Sequence, residues 1–472
     1  MRYIVAMFIV LAAGLTACSS EAAPTPASPV AAATSTHTPA PTVSLPTAGP
    51  TKTPAPPTPT STRTTAATPT PTPSPTPQIY AVKETDTLLG IALQFNTTVE
   101  ALLAANNLTE NDFLQIGQKL VIPTPAPTAT VPPPATLAAA SGVALPAPQV
   151  FNLPTVPPIN RAANINPLTG LPVSDPAALQ HRPLMVRVGN DVGARGSQLG
   201  LNSADMVYEE IAEWWVTRFS AIFLSNIPDL VAPIRSARLI NTQLGPQYQA
   251  AVAHSGGSDP VRWQMTQIPI ANLDQWFHGD LFFHRPNEGW MTRAAFKAGE
   301  AYAYLAKKGL DAPVKLRGFN FSPTINQGEA APNVFIPYPQ ATSFTQWAYN
   351  PAAGKYLRRI KDAPLVDAAD GQQISAYNVV VYFADHQETD IVEDSSGGKS
   401  IQITINGRGP AWFFRDGKLN KGYWLTDGSQ TPYFTYEDGS PYPLKPGNTW
   451  VEVVPTSYKI GLNSADEASS RP

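Results

Sequence analysis

Residues 233–259 read PIRSARLINTQLGPQYQAAVAHSGGSD. Arg235-Ser236-Ala237-Arg238 opens a segment of helical length, and a short apolar run over 250–253 delivers the chain into His254-Ser255-Gly256-Gly257-Ser258. The spacing predicts a helix over 239–248, a strand over 250–253, and a capped helix over 260–267 behind Asp259-Pro260. A strand that ends in a glycine- and serine-rich loop before a helix turns backbone N–H groups toward whatever lies in front of it. That arrangement suits an anion.

Working outward, 184–188 reads as a strand, 206–212 and 216–224 as a hairpin around Glu213-Trp214-Trp215, and 292–307 as a helix. Alternating helices and strands make 164–332 a mixed α/β (α+β) domain. From 333 to 460 the pattern turns to antiparallel β. Strands are expected over 344–349, 355–360, 377–384, 400–405, 411–415 and 450–454. Asp416-Gly417, Asp427-Gly428 and Asp438-Gly439 are tight-turn pairs, the strongest short-range hairpin signal. A polar tail occupies 461–472.

The chain has 472 residues, and many of its 51 prolines fall in two tracts that cannot pack a core. Charged residues are 14% and the formal net charge is −3, so no basic excess exists to neutralise phosphates and no nucleic-acid partner is expected. The single cysteine, Cys18, leaves no thiol nucleophile, cysteine-based zinc site or intrachain disulfide in the folded part. After Met1-Arg2, the apolar run 3–15 is too short to span a bilayer and suits the core of a signal peptide over 1–18. Residues 19–77 are Thr-Pro, Ala-Pro and Ser-Pro repeats with almost no charge, expected to stay unfolded and extended as a stalk. Its contour is about 180 Å in polyproline II form. Residues 124–163 form a second Pro/Ala-rich linker, in which Val150-Phe151 and Leu153 are candidates to dock on the domain that follows.

Between these tracts, 78–123 reads as a β-α-α-β unit: a strand over 79–82, helices over 88–95 and 99–105, a stop at Asn106-Asn107, and a closing strand over 120–123.

Three resemblances sit on these residues. Leu15-Thr16-Ala17-Cys18 is similar to the lipobox of bacterial lipoproteins. This implies cleavage before Cys18, lipidation of its sulfur and attachment to a bacterial membrane, on the outside and facing the cell wall. Tyr80-x-Val82, Asp86-Thr87-Leu88-x-x-Ile91-Ala92, Phe95, Leu102, Asn106 and Ile116-Gly117-Gln118-x-Leu120-x-Ile122-Pro123 resemble a lysin motif. That resemblance implies binding of peptidoglycan or another N-acetylglucosamine glycan. The groove it implies lies between Asp86, Thr87, Leu88 and Leu89 on one side and Leu114, Gln115 and Ile116 on the other. Thr85 stands where the family usually has glycine, which reduces the expected affinity because glycine there admits positive φ and close sugar approach.

The third resemblance runs through Asn166-Pro167-Leu168-Thr169-Gly170-Leu171-Pro172, Arg182-Pro183, Ala204-Asp205-x-Val207-Tyr208-Glu209 and Thr217-Arg218-Phe219. It continues in Pro233-x-Arg235-Ser236-Ala237-Arg238, His254-Ser255-Gly256-Gly257-Ser258 and Lys445-Pro446-Gly447-x-Thr449-Trp450-Val451-x-Val453-Val454-Pro455. These are similar to the YerB-like bacterial lipoprotein family. The likeness implies a two-part domain and an envelope address, with no reaction attached.

Arg218, Arg235 and Arg238 are natural anion receptors, because a planar guanidinium can bond phosphate or carboxylate in pairs. With Ser236, the loop His254, Ser255, Gly256, Gly257 and Ser258, and the later His284-Arg285, they make up the expected anionic-ligand site. Teichoic-type phosphate and muropeptide carboxylate are its candidate ligands. The alternative is scaffolding, with the arginines paired to Glu209, Glu210 or Asp205. No Gly-x-Ser-x-Gly elbow and no His-Glu-x-x-His helix occurs, Ser396-x-x-Lys399 sits on glycines, and six dispersed histidines lack ligand spacing. No catalytic set, metal site or cofactor is therefore expected. The expected function is a lipid-anchored envelope binder, with a wall-polymer-modifying enzyme or a protein-recruiting scaffold as alternatives.

Overall fold

The computed structural model describes residues 78–82, 91, 95, 97, 99–106, 108, 117–123, 156–339, 342–394 and 396–470. Cys18, the stalk, Thr85, the groove residues Asp86, Thr87, Leu88, Leu89, Leu114, Gln115 and Ile116, most of the helix expected over 88–95, and the docking candidates Val150-Phe151 and Leu153 lie outside the described residues.

In the small N-terminal unit, β1 (Gln78–Ala81) is followed by α1 (Val99–Asn106) and β2 (Lys119–Ile122). β1 and β2 pair antiparallel, with Tyr80 opposite Leu120. Val82, Ile91, Leu102, Leu120 and Ile122 form its core, with Tyr80, Phe95 and Leu108 against it. Asn106 ends α1 and ties it to the strand. Its Nδ2 donates to the Leu102 and Val121 carbonyls at 2.7 and 2.9 Å, and its Oδ1 accepts from the Val121 N–H at 2.6 Å. One amide side chain thus supplies both the stop and the brace.

The larger part begins with β3 (Leu184–Gly189), β4 (Met206–Ile211), β5 (Thr217–Phe223), α2 (Asn241–Tyr248), β6 (Ala251–His254), α3 (Asp259–Thr266) and β7 (Ala271–Asp274). A small pair, β8 (Phe282–His284) and β9 (Ala294–Phe296), precedes α4 (Ala301–Lys308). β10 (Glu329–Ala330) leads to a five-stranded sheet of β11 (Asn333–Ile336), β12 (Thr345–Asn350), β13 (Lys355–Ile360), β14 (Ala363–Pro364) and β15 (Ser375–Ala376). Last come β16 (Asn378–Val392), β17 (Lys399–Thr404), β18 (Gly407–Arg415), β19 (Lys418–Thr426), β20 (Tyr433–Tyr436) and β21 (Thr449–Pro455).

One twelve-stranded sheet takes strands from both halves, in the order β10-β19-β18-β16-β21-β4-β5-β3-β6-β7, with β17 on β16 and β20 on β19. β21 lies parallel between β16 and β4, and β3, β6 and β7 run parallel to one another. The remaining pairs are antiparallel. Strands buried on both faces must be apolar nearly throughout, and β3, β4 and β21 are buried at every position. Arg187 of β3, the two acids of β4 and the acid of β21 are exceptions that need partners, and Arg187 pairs with Glu210. Arg358 on β13 supplies one, at 2.5 Å from Glu209 and 2.9 Å from Glu452, and the Trp347 indole donates to Glu452 at 2.7 Å. One cation between two buried acids leaves Glu452 undercompensated, and burial together with the neighbouring Glu209 pushes its carboxyl well above the usual range.

The hairpin over β4 and β5, the strands β3, β6, β12, β13 and β18, and helices α2 and α3 stand where the sequence predicts them, within a few residues. Two elements differ. The helix expected over 292–307 splits, because Ala294–Phe296 pairs with β8 and bonds to Val231 and Ile234, so that helix forms only at Ala301–Lys308. The strand expected over 377–384 runs on to Val392. Its first half pairs with β18 and β21, and its second half leaves the sheet as a ribbon with β17.

Candidate functional site

The carboxyl ends of the parallel strands β3, β6 and β7 come together, and their following loops carry Asp191, His254 to Ser258, and Trp276. β5 starts on the same edge, since Arg218 lies opposite Gly189, and so does the hairpin tip Glu213–Trp215. The stretch after Pro233 threads between them. The Arg235 N–H bonds to the Arg187 carbonyl at 3.0 Å, the Ser255 N–H to the Arg235 carbonyl at 3.1 Å, and the Ala237 N–H to the Gly256 carbonyl at 2.8 Å. In open sheets with parallel strands, ligands usually sit at this edge.

The structure brings the three predicted arginines together and also supplies their counter-charges. Arg238 grips Glu213 with two bonds, Nε to Oε2 at 2.6 Å and Nη2 to Oε1 at 2.7 Å, and its Nη1 stands 3.4 Å from Glu393. Arg235 bonds Asp191 through Nε at 3.2 Å and Nη2 at 3.0 Å. Arg218 lies 3.4 Å from Glu213 and 3.9 Å from Asp191. Beneath them Arg187 and Glu210 form an ion pair, both fully buried. Burial pushes the Glu213 carboxyl up, but the hydrogen bonds and charge of Arg238 and the charge of Arg218 outweigh it and hold it at about 2. Glu210, with less compensation for complete burial, is pushed up to about 7. Burial lowers Arg218 to about 10, against the pull of Glu213 and Asp191.

The other predicted residues divide. Ser236 contributes its carbonyl, which accepts from Arg187 at 3.3 Å. His254 is fully buried, held at 2.8 Å from the Gly256 carbonyl and 2.7 Å from Asn272, and burial lowers its pKa. The Ser258 N–H reaches Glu393 at 3.4 Å. His284 is exposed on β8. Arg285 turns to the carbonyls of Thr292 and Ser197 and to Glu288 at 3.5 Å, and these bonds do not join it to the cluster. The scaffold partners expected from the sequence were Glu209, Glu210 and Asp205, whereas Asp191, Glu213 and Glu393 pair with the predicted arginines. Glu393 comes from the ribbon, too far along the chain for spacing to reveal it.

From the sequence, the paired Trp214-Trp215 at the hairpin tip could stack on sugar rings, with core packing the commoner fate of such pairs, and the rest of an exposed aromatic set was missed. Trp214, Trp215, Trp276, Phe277 and Trp290 are all exposed, Trp290 at 78%. Trp214 and Trp215 both adopt φ of 58°, a region that bulky side chains rarely occupy. The Trp214 Nε1 donates to Asp394 at 2.8 Å, and its ring lies over Gly398, where a Cβ would come within 2.5 Å of it. Trp276 is seated in the same way on Gly256, whose φ is +85°, with 2.9 Å between Nε1 and a would-be Cβ. Its backbone N–H bonds to Asp274 at 3.0 Å, and the Arg262 guanidinium faces its ring at 5.7 Å. The available signal was the large aromatic set among polar neighbours in Asp274-Gln275-Trp276 and Asn287-Glu288-Gly289-Trp290.

A separate polar cavity of about 480 Å³, lined by Asn202, Lys355, Asp370, Gln372 and Asn448 among others, shares no residue with this edge. Among the described residues no cluster of three His, Cys, Asp or Glu side chains is disposed to hold a metal.

Comparison with known proteins adds the wider frame. A LysM domain matches residues 80–123, "Protein of unknown function (DUF3048) N-terminal domain" matches 168–315, and "Protein of unknown function (DUF3048) C-terminal domain" matches 334–451. "Putative lipoprotein YerB" of Bacillus subtilis (strain 168) is 28% identical over 300 residues, which make up 61% of this chain and 86% of that one. The crystal structure of YerB protein from Bacillus subtilis resembles the present one with a TM-score of 0.53 at 26% identity, covering 64% of this chain and 98% of that chain. The chain thus joins a LysM domain to the N- and C-terminal DUF3048 domains, and it is a homologue of YerB.

Proposed function

We propose that this protein is an extracytoplasmic lipoprotein, anchored through Cys18, whose LysM domain binds peptidoglycan or a related N-acetylglucosamine glycan and whose large domain engages wall polymer. The observation that carries this reading is the LysM domain itself, with its β1–β2 pair and α1 locked by Asn106. The Leu15-Thr16-Ala17-Cys18 run, the proline-rich stalk and the name of the Bacillus subtilis homologue support the address. Arg218, Arg235 and Arg238 act in this reading chiefly as braces for the loops of the large domain, since each already faces Asp191, Glu213 or Glu393. A phosphate or carboxylate ligand would have to compete with those internal partners.

Two measurements test the proposal. The full chain should sediment with purified peptidoglycan, and Cys18→Ser should move the protein from the detergent phase to the aqueous phase on phase partitioning. Failure to sediment refutes the glycan assignment. Unchanged partitioning of Cys18→Ser refutes the anchor.

A further inference from the structure

We propose that the carboxyl edge of β3, β6 and β7 is a second carbohydrate-binding surface, on which Trp214 and Trp276 stack the pyranose rings of a neutral, hydroxyl-rich glycan. The inference rests on the wall-polymer reading above and names the ligand class of its large domain.

Four observations carry it. The protein has nine tryptophans, and three of the four exposed ones, Trp214, Trp215 and Trp276, lie on loops at this edge. A soluble surface has no reason to gather its indoles on one edge unless something covers them. Second, two of them are held in place. Trp214 is fixed by Asp394 and seated on Gly398, and Trp276 is fixed between Gly256 and Arg262. A ring already immobilised loses little freedom when a ligand stacks on it, so the gain from contact is retained. Third, Trp214 and Trp215 keep a left-handed backbone that costs conformational energy, and such strain tends to persist at ligand-binding positions.

The fourth is charge. Arg218, Arg235 and Arg238 are already engaged by Asp191, Glu213 and Glu393, and Asp394 adds a further carboxylate at the rim. Asp191 Oδ1 and Glu393 Oε1 are buried without a hydrogen-bond partner and add negative charge beneath the surface. The edge therefore disfavours a polyanion or an anionic bilayer, and it matches a ligand that brings hydroxyl and amide donors with apolar ring faces. A sugar chain has both. The LysM domain directs the same polypeptide to such a polymer, and two weak sites on one chain reinforce each other without new contacts.

The tryptophan distribution makes the test clean. Residues 78–123 contain no tryptophan, so indole fluorescence reports the large domain and is silent about the LysM domain. The full chain is titrated with a soluble N-acetylglucosamine oligosaccharide while tryptophan emission is followed, and sedimentation with peptidoglycan is read in parallel. The expected result is a saturable emission change, weakened roughly tenfold by Trp276→Ala and by Trp214→Ala. Gly398→Ala, which retains every indole but removes the seat of Trp214, should weaken it as well. Thermal melts of the variants verify that each is folded. No emission change while sedimentation succeeds overturns this inference and leaves the LysM reading intact. A wild-type emission change, with sedimentation lost in Trp214→Ala and Trp276→Ala, supports this surface and removes the LysM reading. A response to phospholipid vesicles and none to the sugar overturns it in favour of a membrane contact.

Discussion

Glu210 and Glu213 stand three residues apart and titrate in opposite directions, one raised to about 7 and the other held at about 2. The difference lies in how well each is compensated for its burial. Glu213 has Arg238 in a two-point grip and Arg218 nearby, whereas Glu210 is buried more deeply with Arg187 as its chief cation. A carboxyl whose folded value lies below its ordinary value of 4.5 adds stability that is full above about 4.5 and is lost as the pH falls toward 2. Arg238→Ala leaves Glu213 and Glu393 buried without their main counter-ion, so it should cost about 3–5 kcal/mol near neutrality. Part of that loss should vanish on acidification, because protonating Glu213 removes the unpaired charge. Denaturant midpoints for wild type and Arg238→Ala at pH 7 and pH 3 measure both effects. A variant as stable as wild type at pH 7 would show that Arg238 is not a brace.

Among the elements, the loop 366–374 shows how the two halves are joined. Asp367 accepts from the Gly200 N–H at 3.0 Å, the Asn202 N–H at 2.8 Å and its own loop's Ala369 N–H at 2.9 Å, so one buried carboxylate caps a turn in the first half with a side chain from the second. Asp367→Ala should lose about 2–3 kcal/mol, read as a lower denaturant midpoint at constant slope. Elements set by near neighbours were legible in the sequence. Asp416-Gly417 closes the β18–β19 hairpin with Arg415 opposite Lys418, and the apolar run at 250–253 became β6. Elements set by distant partners were not. The pairing of Ala294–Phe296 with β8 overrode a helical pattern, and the parallel insertion of β21 between β16 and β4 leaves no local trace. The candidate site divides the same way. Its arginines, serines and glycines were named from one contiguous stretch, but Asp191, Glu393 and the seats of the indoles required the fold.

At the level of the molecule, the shared sheet makes one cooperative unit of the two DUF3048 segments. Removing residues 333–470 would strip β21 from β4 and expose a strand that is buried at every position. Residues 156–332 alone should therefore give no cooperative melt, while the full chain should show one major calorimetric transition for this part. Two well-separated transitions of comparable size would contradict that. The ribbon at the end of β16 bears on how the protein is made. Asp394 fastens Trp214 from 180 positions further along the chain. A polypeptide emerging N-terminus first exposes its hairpin tip long before the fastening arrives. Until the ribbon has been delivered, the seat of Trp214 stays unassembled, so this edge takes its final form late in synthesis, after its parallel strands have already been made.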